Sequence, residues 1–188
     1  LGWELYVPSD MAAHVFEAIT ERRDDHAIAM CGLHALDSCR IEKGFRHFGH
    51  DISNEDHVLE AGLGFVVKEN KPVGKFGGMI GADAVKAKRN DGLSRRLVQF
   101  RLTDPEPLLY HNEAIYRDGA LIGYLTSGNY GHHIGAAIGL GYVKCNEVGE
   151  SAESQLSSHY QIDVAGRLVD AEVSLRPVYD PKALQVKI

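Results

Sequence analysis

Apolar residues recur with a helical period in the first quarter of the chain. Ala29, Leu33, Leu36 and Cys39 follow one another at intervals of four, three and three residues. Residues with this spacing lie along one side of an α-helix, so the pattern predicts a helix whose apolar stripe is buried. Gly44 follows a turn rich in charged residues, which is typical of a helix end. The sequence therefore predicts a central helix that ends at Gly44.

A period of two marks the opening residues. Residues 3–7 alternate in the way that is typical of a strand, which places Glu4 and Tyr6 on one face. Leu5 then lies on the opposite face. A short apolar run at residues 64–68 predicts a second strand.

Two dipeptides in the second half of the chain predict β-hairpins. Asp118-Gly119 separates two alternating runs, and Ala165-Gly166 separates two more. Asp-Gly between such runs favours a type I′ turn, because both central residues of that turn need positive φ. Several short strands at this spacing indicate a small antiparallel barrel or sandwich.

The change from helical to alternating patterns gives a domain boundary. A short helix is predicted from Ala82 to Lys88, closed near Gly92, and alternating runs begin at Arg95. We therefore expect an α+β domain at residues 1–92 and an all-β domain at residues 93–188. The predicted fold class of the whole chain is α+β.

Composition excludes several classes of function. The 188 residues carry a net charge of −6, which argues against binding of a phosphate backbone. The apolar runs are short and are broken by glycine or charge, so no membrane span is predicted. The three cysteines lack CxxC spacing, which fits a reducing compartment without a disulfide framework.

Histidines raise the question of a metal site. His47, His50 and Asp51 lie close together in sequence, and His132 and His133 are adjacent. Neither spacing fits a closed zinc site, and no cysteine lies near enough to complete one. We expect no metal.

Three long motifs, in the right order, resemble one family. They are Leu1-Gly-Trp-Glu-Leu-Tyr6, Gly32 to Gly44 and Leu59-Glu-Ala-Gly-Leu-Gly-Phe-Val-Val-Lys68. The chain resembles the folate-binding, aminomethyltransferase-like C-terminal region of sarcosine and dimethylglycine dehydrogenases, which are relatives of the glycine cleavage T-protein. The resemblance implies the C-terminal part of a T-protein-like folate-binding domain, followed by a small antiparallel β-barrel.

The resemblance also implies site residues. Glu4 matches the glutamate that grips the pterin ring of tetrahydrofolate, and a carboxylate can accept two parallel N–H bonds from that ring. Leu5 and Tyr6 are implied as close neighbours of the folate. Phe65 is implied to stack on it, and Tyr179 to approach it. Without the resemblance, Glu4 is more simply a solvated carboxylate and Phe65 a core residue.

Two further features of the family pattern bear on the activity. The T-protein has an arginine that helps to hold folate where this chain has Leu36, and a leucine cannot bind a carboxylate. This departure favours the dehydrogenase branch. In the family the catalytic aspartate lies upstream of Leu1, so no catalytic residue is assigned here.

The activity implied by the resemblance has two halves. FAD in an N-terminal region oxidises the N-methyl group of sarcosine or dimethylglycine, and the one-carbon unit then passes to tetrahydrofolate. Only the second half concerns this chain, which lacks an initiator Met and which we expect to be an inactive fragment of a longer oxidoreductase. Two alternatives stay open: a stand-alone aminomethyltransferase and a non-catalytic folate-binding module. The expected compartment is the cytoplasm, or the mitochondrial matrix in a eukaryote.

Overall fold

The computed structural model describes residues 3–72 and 77–185. Leu1 and Gly2, which open the first family motif, lie outside the described residues. The chain divides into two compact units, Leu1–Leu36 and Asp37–Ile188. Each unit is described by itself.

The first unit is helical. It contains a 3-10 turn at Ser9–Met11, helix α1 at Ala12–Thr20, helix α2 at Arg23–His26 and the start of helix α3, Leu33–Glu42. The strand predicted for residues 3–7 is wrong, because residues 3–8 have no regular secondary structure. A strand requires a hydrogen-bonded neighbour, and the described part of the chain pairs no strand with these residues.

The second unit is dominated by a closed antiparallel barrel. Its six strands are β1 (Arg95–Leu102), β2 (Ala114–Arg117), β3 (Ala120–Gly131), β4 (Ala136–Lys144), β5 (Tyr160–Val164) and β6 (Arg167–Ser174). The order around the barrel is β1-β4-β3-β2-β5-β6, and β1 also pairs with β6 to close it. The predicted α+β class with a small antiparallel barrel is confirmed.

Both predicted hairpins are present. Asp118 and Gly119 have φ values of 51° and 82°, and Ala165 and Gly166 have φ values of 53° and 87°. These positive values are the ones that a type I′ turn requires. In register, Arg117 faces Ala120 across the first turn, as the two-residue loop demands.

The interior of the barrel is apolar and aromatic. Phe100, Ile115, Leu125 and Ile162 are each 0% exposed. The rings of Phe100 and Tyr160 meet edge to face, with centroids 5.5 Å apart. Because these residues come from β1, β2, β3 and β5, burial of the core depends on closure of the barrel.

The second unit also contains two helices, one before the barrel and one between two of its strands. Helix α4 spans Ala82–Asp91 and is followed by Gly92 with φ 89°, which confirms the predicted helix. A short helix α5, Ala152–Leu156, lies between β4 and β5. The boundary near Gly92 between residues 1–92 and 93–188 stays a prediction.

The predicted buried stripe of α3 is wrong. Leu33 is 80% exposed, Leu36 is 58% exposed, and Cys39 is exposed as well. In the part of α3 that belongs to the second unit, Ser38, Ile41 and Glu42 are buried instead. Ile41 packs in a cluster with barrel residues of β1 and β4, namely Leu97, Ile138 and Leu140. The barrel therefore selects a different face of the helix from the one with the most regular apolar spacing.

The predicted end of α3 is confirmed. Gly44 has φ 65°. The Phe45 N–H donates to the Arg40 carbonyl at 2.8 Å, and the Gly44 N–H donates to the Ile41 carbonyl at 2.9 Å. These two bonds form a Schellman motif, in which the residue after the helix adopts the left-handed conformation that glycine favours.

Candidate functional site

The end of α3 is fixed to the barrel by polar contacts. Ser38 Oγ donates to the Tyr130 carbonyl at 2.7 Å. Glu42 Oε1 accepts the His133 N–H at 2.7 Å in the turn between β3 and β4. Glu42 is only 4% exposed, although a glutamate in the last turn of a helix is usually solvated. These bonds make the end of the helix a rigid support for the loop that follows it.

Arg40 links the helix to this loop and to the barrel. Its Nε lies 2.8 Å from Asp37 Oδ1, as the spacing of three residues predicts. Its Nη2 also donates to Ser127 Oγ on β3 at 2.7 Å. With a third contact, from its Nη1 to Asp51 in the loop, Arg40 is held on three sides.

Asp51 fixes the far end of the loop. Its side chain is 0% exposed and pairs with Arg40 Nη1 at 2.5 Å. It also accepts the His47 N–H at 2.8 Å and the Thr126 hydroxyl at 2.6 Å. A buried carboxylate is tolerated when it is both paired and hydrogen-bonded. The loop of residues 45–52 is therefore held in one conformation.

A second segment is anchored through Glu60, which is 5% exposed. It pairs with Lys88 Nζ at 2.7 Å and with Arg95 Nε at 3.1 Å, and it accepts the Ser94 hydroxyl at 2.8 Å. Burial raises the pKa of Glu60, but the bonds from Lys88, Ser94 and Arg95 outweigh burial and hold the pKa at about 2. This anchor lies five residues before Phe65.

The third segment follows β6, and we name it the C-terminal strap, residues 175–180. Gln99 of β1 donates to the Ile41 carbonyl at 2.6 Å and accepts the Val178 N–H at 2.8 Å. Lys43 Nζ pairs with Asp180 Oδ2 at 2.8 Å, and both side chains are largely buried. The strap is therefore attached both to the barrel and to the end of α3.

These three segments surround an open cleft of about 480 Å³, which we name the Phe65 cleft. Its apolar wall includes Phe45, Ile52, Leu63, Phe65 and Pro177. Phe45 is 57% exposed and Phe65 is 80% exposed. Exposed aromatic rings around a cleft of this volume are typical of a small-molecule site.

The ionisable residues of the cleft are all cationic: Lys43, Arg46 and Arg176. Lys43 is paired with Asp180. Arg46 donates to backbone carbonyls of Gly44 and Ala61, and its burial lowers the pKa of its guanidinium. Arginine titrates so far above neutrality that Arg46 keeps its charge. The cleft therefore presents positive potential to a ligand.

The structure places the predicted site residues in both units. Phe65 lies in a 3-10 turn, Gly64–Val66, so the strand predicted at residues 64–68 is wrong and the ring points out of the core. Tyr179 lies in the strap, where its ring packs against His133 with centroids 4.8 Å apart. Tyr179 follows the cleft-lining residue Pro177 by two positions. Phe65 and the strap therefore contribute to one surface.

Glu4, Leu5 and Tyr6 belong to the first unit. The Tyr6 hydroxyl donates to Glu4 Oε2 at 2.8 Å, so the two side chains share one side of the backbone as the alternation predicts. Leu5 is 65% exposed and Tyr6 is 90% exposed. The assignment of all five residues to a folate site stays a prediction.

Sequence reasoning missed Phe45, Arg46 and Arg176. One signal was available, because Phe45 and Arg46 follow directly after the helix-ending Gly44. No signal in the sequence pointed to Arg176, because it lies far from Arg46 along the chain and only the fold brings the two residues to one cleft.

Within the described residues, no group of three or more His, Cys, Asp or Glu side chains is placed to hold a metal ion. Of the helices in the described ranges, none has the length and apolar character needed to cross a membrane.

Similarity to known proteins identifies the family. Residues 1–71 match the GCVT N-terminal domain, and residues 95–180 match the glycine cleavage T-protein C-terminal barrel domain. The chain belongs to the glycine cleavage T-protein family. The barrel seen in the structure, Arg95 to Ser174, lies inside the second match.

Two relatives that align with the whole chain are named as enzymes that act on methylated amines. The chain is 40% identical over 187 residues to 4-methylaminobutanoate oxidase (formaldehyde-forming) of Paenarthrobacter nicotinovorans, covering 100% of this chain and 21% of the relative. It is 34% identical over 188 residues to mitochondrial sarcosine dehydrogenase of Homo sapiens, covering 100% of this chain and 20% of the relative. The chain thus spans about a fifth of these relatives.

A solved structure supports the fold. Aminomethyltransferase T of the glycine cleavage system from Bartonella henselae matches with a TM-score of 0.73 and 22% identity. The match covers 93% of this chain and 45% of that structure. The chain therefore shares the fold of the matched part of that structure.

Proposed function

We propose that this chain is the tetrahydrofolate-binding portion of a flavin-dependent oxidoreductase that removes an N-methyl group from a small amine such as sarcosine or dimethylglycine. The one-carbon unit released by oxidation then passes to tetrahydrofolate. The observation that carries the proposal is the alignment of the entire chain with about a fifth of an amine oxidase and of a sarcosine dehydrogenase.

The Phe65 cleft supports folate as the small molecule. Its volume of about 480 Å³ falls within the range of roughly 300 to 1,000 Å³ that is usual for ligand sites. Phe65 offers an exposed ring for stacking, and a phenylalanine preserves stacking where a hydroxyl contact is lost. In this proposal Tyr179, which follows the cleft-lining Pro177 by two residues, approaches the folate from the strap.

Glu4 supplies the polar recognition in this proposal. Its carboxylate accepts two parallel N–H bonds from the amino-pyrimidine edge of the pterin, and the Tyr6 hydroxyl, 2.8 Å away, orients it. Leu5 contributes its backbone. The chain's residues thus bind and orient tetrahydrofolate, and no catalytic residue is assigned to them.

FAD, bound elsewhere in the complete protein, would accept the hydride from the methylated amine. The described residues contain no glycine-rich strand-to-helix turn of the dinucleotide-binding type. We therefore assign FAD and the methylated amine to the remainder of the protein. The proposed compartment is the cytoplasm or, in a eukaryote, the mitochondrial matrix, since the human sarcosine dehydrogenase is named as mitochondrial.

The test uses the complete protein. A mass several times 20.7 kDa with flavin absorption bands is expected. Glu4→Ala and Phe65→Ala should each weaken tetrahydrofolate binding several-fold, as measured by calorimetry, while Phe65→Tyr retains it. Glu17→Ala and Tyr110→Ala, at an exposed glutamate and an exposed aromatic outside the cleft, serve as matched controls. Unchanged affinity in both Glu4→Ala and Phe65→Ala would refute the folate assignment.

A second candidate is a stand-alone aminomethyltransferase. The chain is 39% identical over 153 residues to an aminomethyltransferase of Halothermothrix orenii and covers 41% of it. Leu36, at the place of the folate-holding arginine, disfavours this candidate. A colourless complete protein only modestly longer than this chain would favour it, or a non-catalytic folate-binding module, over the oxidoreductase.

A further inference from the structure

The charge of the Phe65 cleft is opposite to the charge of the chain. The chain has a net charge of −6, yet the ionisable residues that line the cleft are Lys43, Arg46 and Arg176. Of these three cations, Lys43 is paired with a carboxylate, that of Asp180. Such local focusing of positive potential favours an anionic ligand or an anionic part of a ligand.

Arg176 is the cation of the three that is available to a ligand. Lys43 donates to Asp180, and Arg46 donates through Nε and Nη1 to the carbonyls of Ala61 and Gly44. The Arg176 side chain is exposed, and no hydrogen bond or ion pair joins it to another described residue.

The backbone of Arg176 is nevertheless fixed. Its N–H donates to Ser174 Oγ at 3.1 Å, and the Ser174 hydroxyl donates to the Arg176 carbonyl at 2.8 Å. Pro177 follows and restricts Arg176 to an extended conformation. Pro177 itself lies over Gly44, where a Cβ would stand 3.5 Å from the proline Cγ. The guanidinium is therefore presented to the cleft from an ordered position.

We propose that Arg176 binds the carboxylates of the glutamyl tail of tetrahydrofolate and makes the cleft selective for folates that carry this tail. This inference rests on the proposed function. A guanidinium forms two parallel hydrogen bonds with a carboxylate, which a neutral side chain cannot replace. The apolar wall of Phe45 and Phe65 accommodates the aromatic part of the same ligand.

The experiment compares two ligands on the complete protein. Tetrahydrofolate carries the glutamyl carboxylates, and the N-methylamide of tetrahydropteroic acid keeps the benzoyl amide but has no carboxylate. The wild type should bind tetrahydrofolate about tenfold more tightly than this amide, as expected for a charge-assisted contact. Arg176→Gln should weaken binding of tetrahydrofolate about tenfold and leave binding of the amide unchanged, so that the affinity ratio falls to about one. Arg176→Lys should restore part of the ratio.

Lys144→Gln is the matched control, because Lys144 is an exposed cation outside the Phe65 cleft. It should keep the wild-type ratio. An unchanged ratio in Arg176→Gln, or an equal loss for both ligands, overturns this inference and leaves the proposed function in place. Absence of binding of either ligand to the wild type overturns both.

Discussion

Glu150, in the second unit, is a buried carboxylate with both of its oxygens paired to one guanidinium. It is 6% exposed, and both of its oxygens accept from Arg117, at 2.6 and 3.0 Å. The Ser154 hydroxyl and the Asn146 N–H add bonds at 2.7 and 2.8 Å. The bond from Arg117, followed by those from Ser154 and Asn146, overcomes burial and lowers the pKa of Glu150 to about 2.

Glu150→Gln should lower the free energy of unfolding by about 3 kcal/mol at neutral pH, because Arg117 would keep a buried charge without a counter-ion. The pH dependence should change as well. Ionised Glu150 stabilises the fold fully above its ordinary pKa of 4.5, and this contribution disappears as the pH falls towards about 2. The variant should therefore lose less stability than the wild type across that interval.

Urea unfolding followed by circular dichroism at pH 7 and pH 3 measures both effects. Glu147→Gln, at an exposed glutamate three residues earlier, should behave as the wild type. Equal pH dependence in Glu150→Gln and the wild type would contradict the assignment of this carboxylate.

Single residues also show the limit of sequence reasoning. The Asp37–Arg40 pair follows from the three-residue spacing alone. Glu42, two residues after Arg40, is buried, and its carboxylate accepts the N–H of His133, which lies 91 residues away in the sequence. Nothing in the local sequence shows that Asp37 is partly exposed and Glu42 is buried.

At the scale of elements, the strap is the part of the cleft that depends most on a single ion pair. Lys43 and Asp180 have side chains that are 10% and 6% exposed, and Lys43 lies directly after α3. Lys43→Met should leave Asp180 without its cation, so the strap should open more often.

Hydrogen exchange of the Val178 amide reports this opening, because that N–H is bonded to Gln99 Oε1 at 2.8 Å. We expect exchange about tenfold faster than in the wild type, which corresponds to about 1.4 kcal/mol. Lys182→Met removes an exposed lysine close to the strap and should leave the exchange unchanged. If Lys43→Met also leaves it unchanged, the ion pair does not hold the strap.

An element was predicted correctly where a few neighbouring residues set its conformation. The hairpin turns at residues 118–119 and 165–166 and the end of α3 at Gly44 are set by backbone conformations that few residue types adopt. The strand predicted for residues 64–68 failed, because a short apolar run fits a strand and a packed turn equally well. Which of them forms depends on neighbours that the run does not contain.

At the scale of the molecule, an acidic chain carries a cationic cleft, and this contrast predicts a dependence on salt. Tetrahydrofolate binding to the complete protein should weaken several-fold between about 0.1 M and about 1 M salt, as the screening length falls from about 10 Å to about 3 Å. Binding of the N-methylamide of tetrahydropteroic acid, which has no carboxylate, should change much less. Calorimetry at the two salt concentrations provides the comparison, and an identical salt dependence of both ligands would argue against an electrostatic role of the cleft.

The barrel shows why the sequence left two architectures open. Alternating strands and their turns predict either a barrel or a sandwich, because both use the same periodicity. Closure depends on β1, which pairs with β4 through Gln99↔Leu140 and with β6 through Gln99↔Ser174. These registers join residues more than 40 positions apart and are fixed by packing of the closed core.

The sequence by itself determined the family, the α+β class, the two hairpins and the end of α3, because each of these is set by a few neighbouring residues or by long motifs. Only the tertiary structure decided which face of α3 is buried, that Phe65 is exposed, and that Arg46 and Arg176 share a cleft. The physical reason is that burial and electrostatic environment are properties of the partners that the fold brings together, and those partners lie far apart along the chain.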